Sequence, residues 1–377
     1  MKILFTGGGT AGHVAPIIAL AREIRKDKDA ENFQFFYIGP KDEFSSILLS
    51  QEGIKTKNIM SGKIRRYSTV KSVLQNLVDI FIKIPFGIIQ AFLHIFLLAP
   101  DLIIGKGGFG SLPTVLAGWV LRTPIFLHES DVVPSLTNKI LGNFALEIFV
   151  SFPNTEYFKP SKMILVGNPI RKELLEDEES STEEIEDMFG ITSQKSVILI
   201  FGGSQGSKRI NDLILDILPQ LLETYEIIHQ TGVNNFQQVK AESAVMASEE
   251  SLRYYHPFPF FQEQELKKAY KLANLIISRA GSGAIFEIAV FEKPSILIPL
   301  PESAQNHQVK NAYSYAESGA SQVLEEPNFQ PHFLLEKLKY FFSHPDELEK
   351  MKKGARSFAK PKAAEIMAEY IIEYLLV

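Results

Sequence analysis

The chain has 377 residues and a formal net charge of -5, with 45% hydrophobic and 22% charged residues. That length favours two domains, that composition is ordinary for a globular protein, and that charge excludes a nucleic-acid binder at the level of the whole molecule. Cysteine is absent, which removes disulfides, thiolate catalysis and cysteine-type zinc sites.

Met1-Lys2 leads directly into a strand pattern, Lys2–Thr6, with a glycine-rich turn behind it. A signal peptide needs a longer apolar core and a cleavage site, so a cytoplasmic location is expected. The turn Gly7-Gly8-Gly9-Thr10-Ala11-Gly12 fits G-x-G-x-x-G and precedes a helical pattern. A dinucleotide site also requires an acid at the tip of the second strand. That strand, Gln34–Gly39, ends in Gly39-Pro40-Lys41, and a histidine, His13, follows the last glycine. Both features weigh against a nicotinamide oxidoreductase.

The segment from Leu77 to Leu98 is long enough to span a bilayer, but Asp79, Lys83, Gln90, His94 and the Pro85-Phe86-Gly87 break interrupt it. Charges near a membrane midplane are costly, so a simple span is disfavoured. Two readings remain, a helix buried against a sheet and an apolar surface dipping into a membrane interface. The upstream cluster Lys63, Arg65, Arg66 and Lys71 suits anionic headgroups and tips the expectation toward peripheral membrane contact.

Further strands are expected at Leu102–Gly105, Ile125–His128 and Glu147–Val150. A second series follows at Ser196–Phe201, Glu226–Gln230, Leu252–Tyr255, Leu275–Ser278, Ser295–Pro299 and Ser321–Leu324. Strands alternating with helix-length segments predict parallel sheets wrapped by helices. The acidic stretch from Glu176 to Glu184 is a solvated connection, which places the boundary at Asn168-Pro169. The predicted organisation is 1–168, 169–345, and terminal helices 346–377 packing back on the first domain. The two halves begin alike, strand then glycine-rich turn then helix, as two Rossmann-like domains facing across a cleft would.

Four glycine-rich turns are candidates for phosphate: Gly7–Gly12, Gly105–Gly110, Gly202–Gly206 and Gly281-Ser282-Gly283. Free N–H groups and the positive end of a helix dipole favour an anion there. A tight turn without ligand explains any one of them equally well, but four at strand ends favour a phosphorylated ligand. His13, at a helix start, is the leading general-base candidate, since a helix N-terminus keeps an imidazole neutral. A capping or structural role is the alternative. His128 and Glu129 either face the cleft or form a hydrogen-bonded pair that fixes the loop Ser130–Pro134. Glu287 either holds a ribose diol or complements a helix dipole. The loop Pro301–Gln308 is polar and suits sugar hydroxyls. No Walker A or H-E-x-x-H motif occurs, nor an Asp-x-Asp pair suited to bridging a metal to a diphosphate. Helix dipoles and basic side chains, with no metal and no cofactor, are therefore expected to stabilise a leaving phosphate.

Taken in order, these motifs resemble a known family over almost the whole chain. The marks are Gly8–His13, Gly105–Phe109, His128-Glu129-Ser130-Asp131 with Thr137-Asn138-Lys139, Val166–Arg171, Gly202–Gly206, Ser278–Gly281, and His307-Gln308 with Asn311-Ala312. The chain resembles the MurG family, the bacterial N-acetylglucosaminyltransferases of peptidoglycan synthesis. The resemblance implies a GT-B fold and transfer of GlcNAc, with inversion, from UDP-GlcNAc to the 4-hydroxyl of undecaprenyl-pyrophosphoryl-MurNAc-pentapeptide, lipid I to lipid II, at the cytoplasmic face of the inner membrane. It also implies roles. Thr10, Ala11 and Gly12 line the transferred sugar of UDP-GlcNAc and the acceptor side with His13 as base, and Asp131 contacts the same substrate. Arg171 and Ser204 meet the diphosphate, Phe261 packs at the uracil, Ser282 and Gly283 approach the diphosphate and sugar, Glu287 holds the ribose and Gln308 the GlcNAc. Ser130-Asp131, in place of Gln-Asn, and the region from Phe260 to Leu266 depart from the usual pattern. A UDP-sugar 2-epimerase of the same fold and a non-catalytic membrane-associated scaffold compete with this reading.

Overall fold

The computed structural model describes residues 1–8, 11–63, 70–176, 180–203, 206–326 and 330–376, with the main chain alone at 11–13, 44, 70, 71 and 172. It divides into two units, Met1–Arg171 with Pro361–Val377, and Lys172–Lys360.

Among the described residues the first unit holds seven strands: β1 (Lys2–Thr6), β2 (Gln34–Gly39), β3 (Lys55–Asn58), β4 (Leu102–Gly105), β5 (Ile125–Glu129), β6 (Glu147–Val150) and β7 (Met163–Leu165). They pair in parallel in the order β3-β2-β1-β4-β5-β6-β7, with Ile3 level with Phe35 on one side and Leu102 on the other. Successive side chains of a strand point to opposite faces, and both faces here are covered. Ile3 and Phe5 pack with Val14, Ile17 and Ile24 of the helix Ala11–Lys26, and with Met367 and Ile371 of the helix Ala363–Leu376. Leu4 lies in the opposite core with Ala91 and Ile95, and with Val115 and Ala117 of the helix Ser111–Val120.

The second unit repeats the plan. Its six strands among the described residues are β8 (Ser196–Phe201), β9 (Tyr225–Gln230), β10 (Tyr255–Phe258), β11 (Leu275–Ser278), β12 (Ser295–Leu297) and β13 (Ser321–Val323). Their order is β10-β9-β8-β11-β12-β13, again parallel throughout. Ile198, Ile200 and Ile277 build a core with Ile210 and Ile214 of the helix Lys208–Asp216 and with Leu334 and Leu338 of the helix Pro331–Ser343.

Three features differ from the sequence reading. β3 and β7 are edge strands without an apolar run long enough to announce them, and the β3 sequence Lys55-Thr56-Lys57-Asn58 is mostly exposed. β10 begins where the expected strand Leu252–Tyr255 ends, because Glu249–Leu252 closes a helical turn. Pro257 is accommodated there because β10 is an edge. The segment 346–377 does not act as one piece. The helix Pro345–Phe358 stays in the second unit, with Phe358 against Phe286 and Tyr315, and the helix Ala363–Leu376 belongs to the first. The second unit begins at Lys172, near the expected boundary at Asn168-Pro169.

The apolar segment is helical from Val70 to Leu98, with a π-helical stretch at Asp79–Lys83. Pro85 lacks an N–H and its ring would press on the carbonyl four residues back, so the ladder widens ahead of it. Asp79 is buried and paired with the Lys83 ammonium at 2.6 Å. A stripe of Gly87, Ala91 and Ile95 faces inward. Gly87 is required there, since a Cβ would lie 2.0 Å from the Met60 carbonyl oxygen. The remaining faces carry exposed Phe81, Phe86, Ile89, Leu93, Phe96 and Leu97, so the fully buried alternative does not hold. Ser72–Leu98 is long and apolar enough to cross a membrane by length and composition alone.

Because Ile371 is fully buried in the first-unit core, Ile371→Ala is expected to cost about 3 kcal/mol. Urea unfolding followed by circular dichroism measures this, and unfolding of the second unit should be unaffected.

Candidate active site

In the first sheet the connections change direction between β1 and β4, and in the second between β8 and β11. Ligands of such sheets bind outside the carboxyl ends of the strands that flank the reversal. The four glycine-rich turns follow β1, β4, β8 and β11, the strands on either side of the two reversals.

In the second unit β11 ends at Ser278 and the helix Ser282–Val290 starts after Gly281, which has no side chain to cap it. The first N–H groups of that helix thus have no side-chain acceptor at the cap. A Cβ at Gly281 or Gly283 would meet nothing within 4 Å, so the space before the helix is open. Ser282 is at the first helical position, and Glu287 follows in the second turn, half-buried. The Tyr270 hydroxyl donates to Glu287 Oε2 at 3.1 Å.

The turn after β8 is shaped by its glycines. Gly203 and Gly206 have φ of 90° and 74°, and a Cβ at Gly206 would lie 2.1 Å from the Thr231 carbonyl oxygen. Ser204 lies outside the described residues. Gln230, at the end of β9, joins this turn to Phe261: its Nε2 donates to the Gly203 carbonyl (3.1 Å) and its Oε1 accepts the Phe261 N–H (3.0 Å). The Phe261 ring is only 3% exposed and packs against Phe189 and Phe258. Its expected placement at the uracil therefore does not extend to the ring; Phe260 beside it is 46% exposed.

Arg279 pins the neighbouring loops. Its guanidinium donates to Ser207 Oγ (2.7 Å) and to the Ile298 carbonyl (3.0 Å), and pairs with Glu326. Arg209 joins Glu326 to Glu302. Within the loop after β12, Gln305 and Asn306 both adopt left-handed φ, 58° and 56°, a strain that clusters at functional sites. Gln308 opens the helix beyond, and its Oε1 accepts the Leu300 N–H at 3.0 Å.

In the first unit the turns after β1 and β4 are in contact: a Cβ on Gly110 would sit 2.3 Å from the Gly7 carbonyl oxygen. Thr10 lies outside the described residues, and Ala11, Gly12 and His13 are described by main chain, in the first turn of the helix Ala11–Lys26. His128 is buried and shares a hydrogen bond with Ser151 Oγ (3.0 Å), which donates to the Gly167 carbonyl. Burial holds its imidazole well below the usual range, with the Lys106 charge adding to the effect. Glu129 is buried too. Its carboxylate accepts Asn138 Nδ2 (2.8 Å) and the Asp131 N–H (3.0 Å), so it fixes the following loop and places Asp131 at the surface of the turn. Glu129 thus braces the loop, while the His128 side chain bonds Ser151 and not Glu129. Burial pushes the Glu129 carboxyl up to about 7, helped by Asp131, and holds the Lys106 ammonium down to about 8. Arg171 is partly exposed at the end of the first unit. Gln230, Tyr270 and Lys106 shape the site without standing out in the sequence; Lys106 alone carries a signal, as a charge inside a glycine-rich turn.

Glu129 keeps its proton in the folded protein up to about pH 7 and loses it near 4.5 when unfolded. Its contribution to stability is therefore complete below about 4.5 and lost as pH rises through about 7. Relative to Glu129→Gln, the wild-type unfolding free energy is expected to fall by about 2 kcal/mol between pH 5 and pH 7. Denaturant titrations of both proteins across that range measure the difference.

Comparison with known proteins matches this architecture. The glycosyltransferase family 28 N-terminal domain matches residues 3–150, and the glycosyltransferase family 28 C-terminal domain matches 197–367. A Bacillus cereus protein named UDP-N-acetylglucosamine--N-acetylmuramyl-(pentapeptide) pyrophosphoryl-undecaprenol N-acetylglucosamine transferase 2 is 36% identical over 374 residues, 99% of each chain. The crystal structure of Acinetobacter baumannii MurG superposes with a TM-score of 0.75 at 26% identity, covering 99% of both chains. The UDP-GlcNAc 2-epimerase of Neisseria meningitidis bound to UDP-GlcNAc reaches a TM-score of 0.69 at 16% identity, over 99% of this chain and 100% of that one, a likeness of fold alone. The two parallel-sheet units and these likenesses establish the α/β, GT-B fold class. With both family 28 domains present and a full-length relative at 36% identity, the chain belongs to the family of UDP-N-acetylglucosamine--N-acetylmuramyl-(pentapeptide) pyrophosphoryl-undecaprenol N-acetylglucosamine transferases.

Proposed function

We propose that this chain transfers N-acetylglucosamine from UDP-GlcNAc to the 4-hydroxyl of undecaprenyl-pyrophosphoryl-MurNAc-pentapeptide, the step from lipid I to lipid II in peptidoglycan synthesis. The observation that carries this is the full-length likeness to relatives named for that reaction. The epimerase shares only the fold, and an epimerase has no use for a lipid acceptor or for the exposed apolar helix.

The donor reading rests on the second unit. The diphosphate lies before the helix Ser282–Val290, near Ser282 and Gly283, where open N–H groups and the helix dipole favour negative charge. Arg171 and Ser204 meet the same diphosphate. Glu287 accepts the ribose hydroxyls, the Gln308 amide donates to GlcNAc, and the main chain at Phe261 is the edge nearest the uracil. In the first unit Thr10, Ala11 and Gly12 line the transferred sugar of UDP-GlcNAc and the acceptor side, and Asp131 contacts the same substrate. His13 takes the proton of the 4-hydroxyl as its oxygen attacks the anomeric carbon. The bond to UDP breaks with its electron pair on the phosphate oxygen, and the configuration inverts. Stabilising that departing charge is the task of the helix N-terminus.

The helix from Ser72 to Leu98 makes the protein peripheral to the cytoplasmic membrane surface, lying along the interface with its apolar faces in the acyl boundary. Lys63 stands exposed at its upstream end; Arg65 and Arg66 lie outside the described residues, and of Lys71 only the main chain is described.

His13→Ala is expected to lower kcat by about 100-fold or more while UDP-GlcNAc still binds. Near-normal turnover with lipid I would reject the base assignment. UDP release that requires a polyprenyl-linked acceptor separates transfer from epimerisation. Replacing Phe81 and Leu97 together by Ser is expected to reduce co-sedimentation with anionic vesicles, with turnover on detergent-solubilised acceptor retained.

A further inference from the structure

Behind Glu287 stands a residue that the reaction does not itself require. Tyr270 is fully buried on the helix Glu263–Leu272. Its ring is stacked on Phe291 (centroids 4.7 Å apart, 14° between planes) and is met edge-on by Phe201 (5.9 Å, 89°). Rings on two sides leave the phenol little freedom to turn, and its hydroxyl reaches Glu287 Oε2 at 3.1 Å. A buried tyrosine hydroxyl on a half-buried carboxylate is a charge-assisted bond, stronger than a neutral one, and it fixes the otherwise soft terminal torsion of the glutamate. Two vicinal hydroxyls are recognised by one carboxylate only if both of its oxygens are held in the plane of the diol. The same helix begins two residues after Phe261, so one rigid element connects the proposed uracil edge to the ribose carboxylate.

We infer that Tyr270 is a positioning residue that orients the Glu287 carboxylate and so sets the preference of the nucleotide site for ribose over 2′-deoxyribose. The inference rests on the reading that Glu287 takes the ribose hydroxyls. A fixed carboxylate gains from two hydroxyls what a freely turning one loses in ordering. Removing the phenol hydroxyl therefore weakens the diol contact and leaves a single-hydroxyl contact less affected.

The test compares UDP and 2′-deoxy-UDP binding by calorimetry to wild type, Tyr270→Phe, Glu287→Asp and Glu287→Ala. In Tyr270→Phe, UDP affinity is expected to fall about tenfold and 2′-deoxy-UDP affinity by much less, so that the ratio between them shrinks. The KM for UDP-GlcNAc should rise by the same factor, ahead of any change in kcat. Glu287→Asp, whose shorter carboxylate no longer reaches the intact Tyr270, should shrink the ratio in the same way; it keeps the inference testable should Tyr270→Phe fold poorly. If Glu287→Ala abolishes the ratio while Tyr270→Phe and Glu287→Asp leave it at the wild-type value, Tyr270 only packs and the inference is overturned. If Glu287→Ala itself leaves the ratio unchanged, the ribose reading of Glu287 is what has failed.

Discussion

Both units depend on one topological constraint, the reversal of connection direction within a parallel sheet. Between β1 and β4, and again between β8 and β11, adjacent strands are followed by chain that departs to opposite faces. At that point the carboxyl edge of each sheet is followed by the glycine-rich turns. Only small residues allow those turns to close tightly. Gly110 against the Gly7 carbonyl, and Gly206 against the Thr231 carbonyl, are places where a methyl group would not fit. The open N–H groups of the helix Ser282–Val290 are the chemical product of this geometry. Anion recognition is thus a property of the backbone before any side chain contributes.

Side chains then differentiate the two edges. In the first unit the edge carries buried titratable groups: Lys106 and Glu129 lie within reach of one another's field, and His128 is held neutral. In the second unit the edge is braced by hydrogen bonds between loops, through Arg279, Gln230 and Tyr270, while the space before Gly281 and Gly283 stays open. A nucleotide diphosphate suits the second arrangement. The first, with His13 on the first turn of its helix, suits a hydroxyl that must lose a proton.

Much of this is legible in the sequence because burial on both faces writes strands as continuous apolar runs. β1, β4, β8 and β11 have that character, and the glycine turns behind them can be read without a structure. β3 and β7 escape notice because an edge strand needs no such run, and β10 starts later than expected because Glu249–Leu252 is helical. The motif residues Glu287 and Gln308 are proposed from the sequence by their place after strands. Tyr270 and Gln230 are not, since their importance comes from residues 17 and 31 positions away that folding brings within hydrogen-bond reach. Sequence spacing carries no trace of such partners. The ring of Phe261 illustrates the converse: the motif locates the segment, but only packing against Phe189 and Phe258 decides which atoms are presented.

The helix Ala363–Leu376 completes a core that begins at Ile3. On the ribosome, the first unit therefore emerges early but cannot bury Phe126 and Phe149 beneath Tyr370 until the last residues have been made. The second unit, a continuous stretch of chain, has no such debt to the terminus. Translation order and folding order are consequently inverted: the half synthesised first is the half finished last.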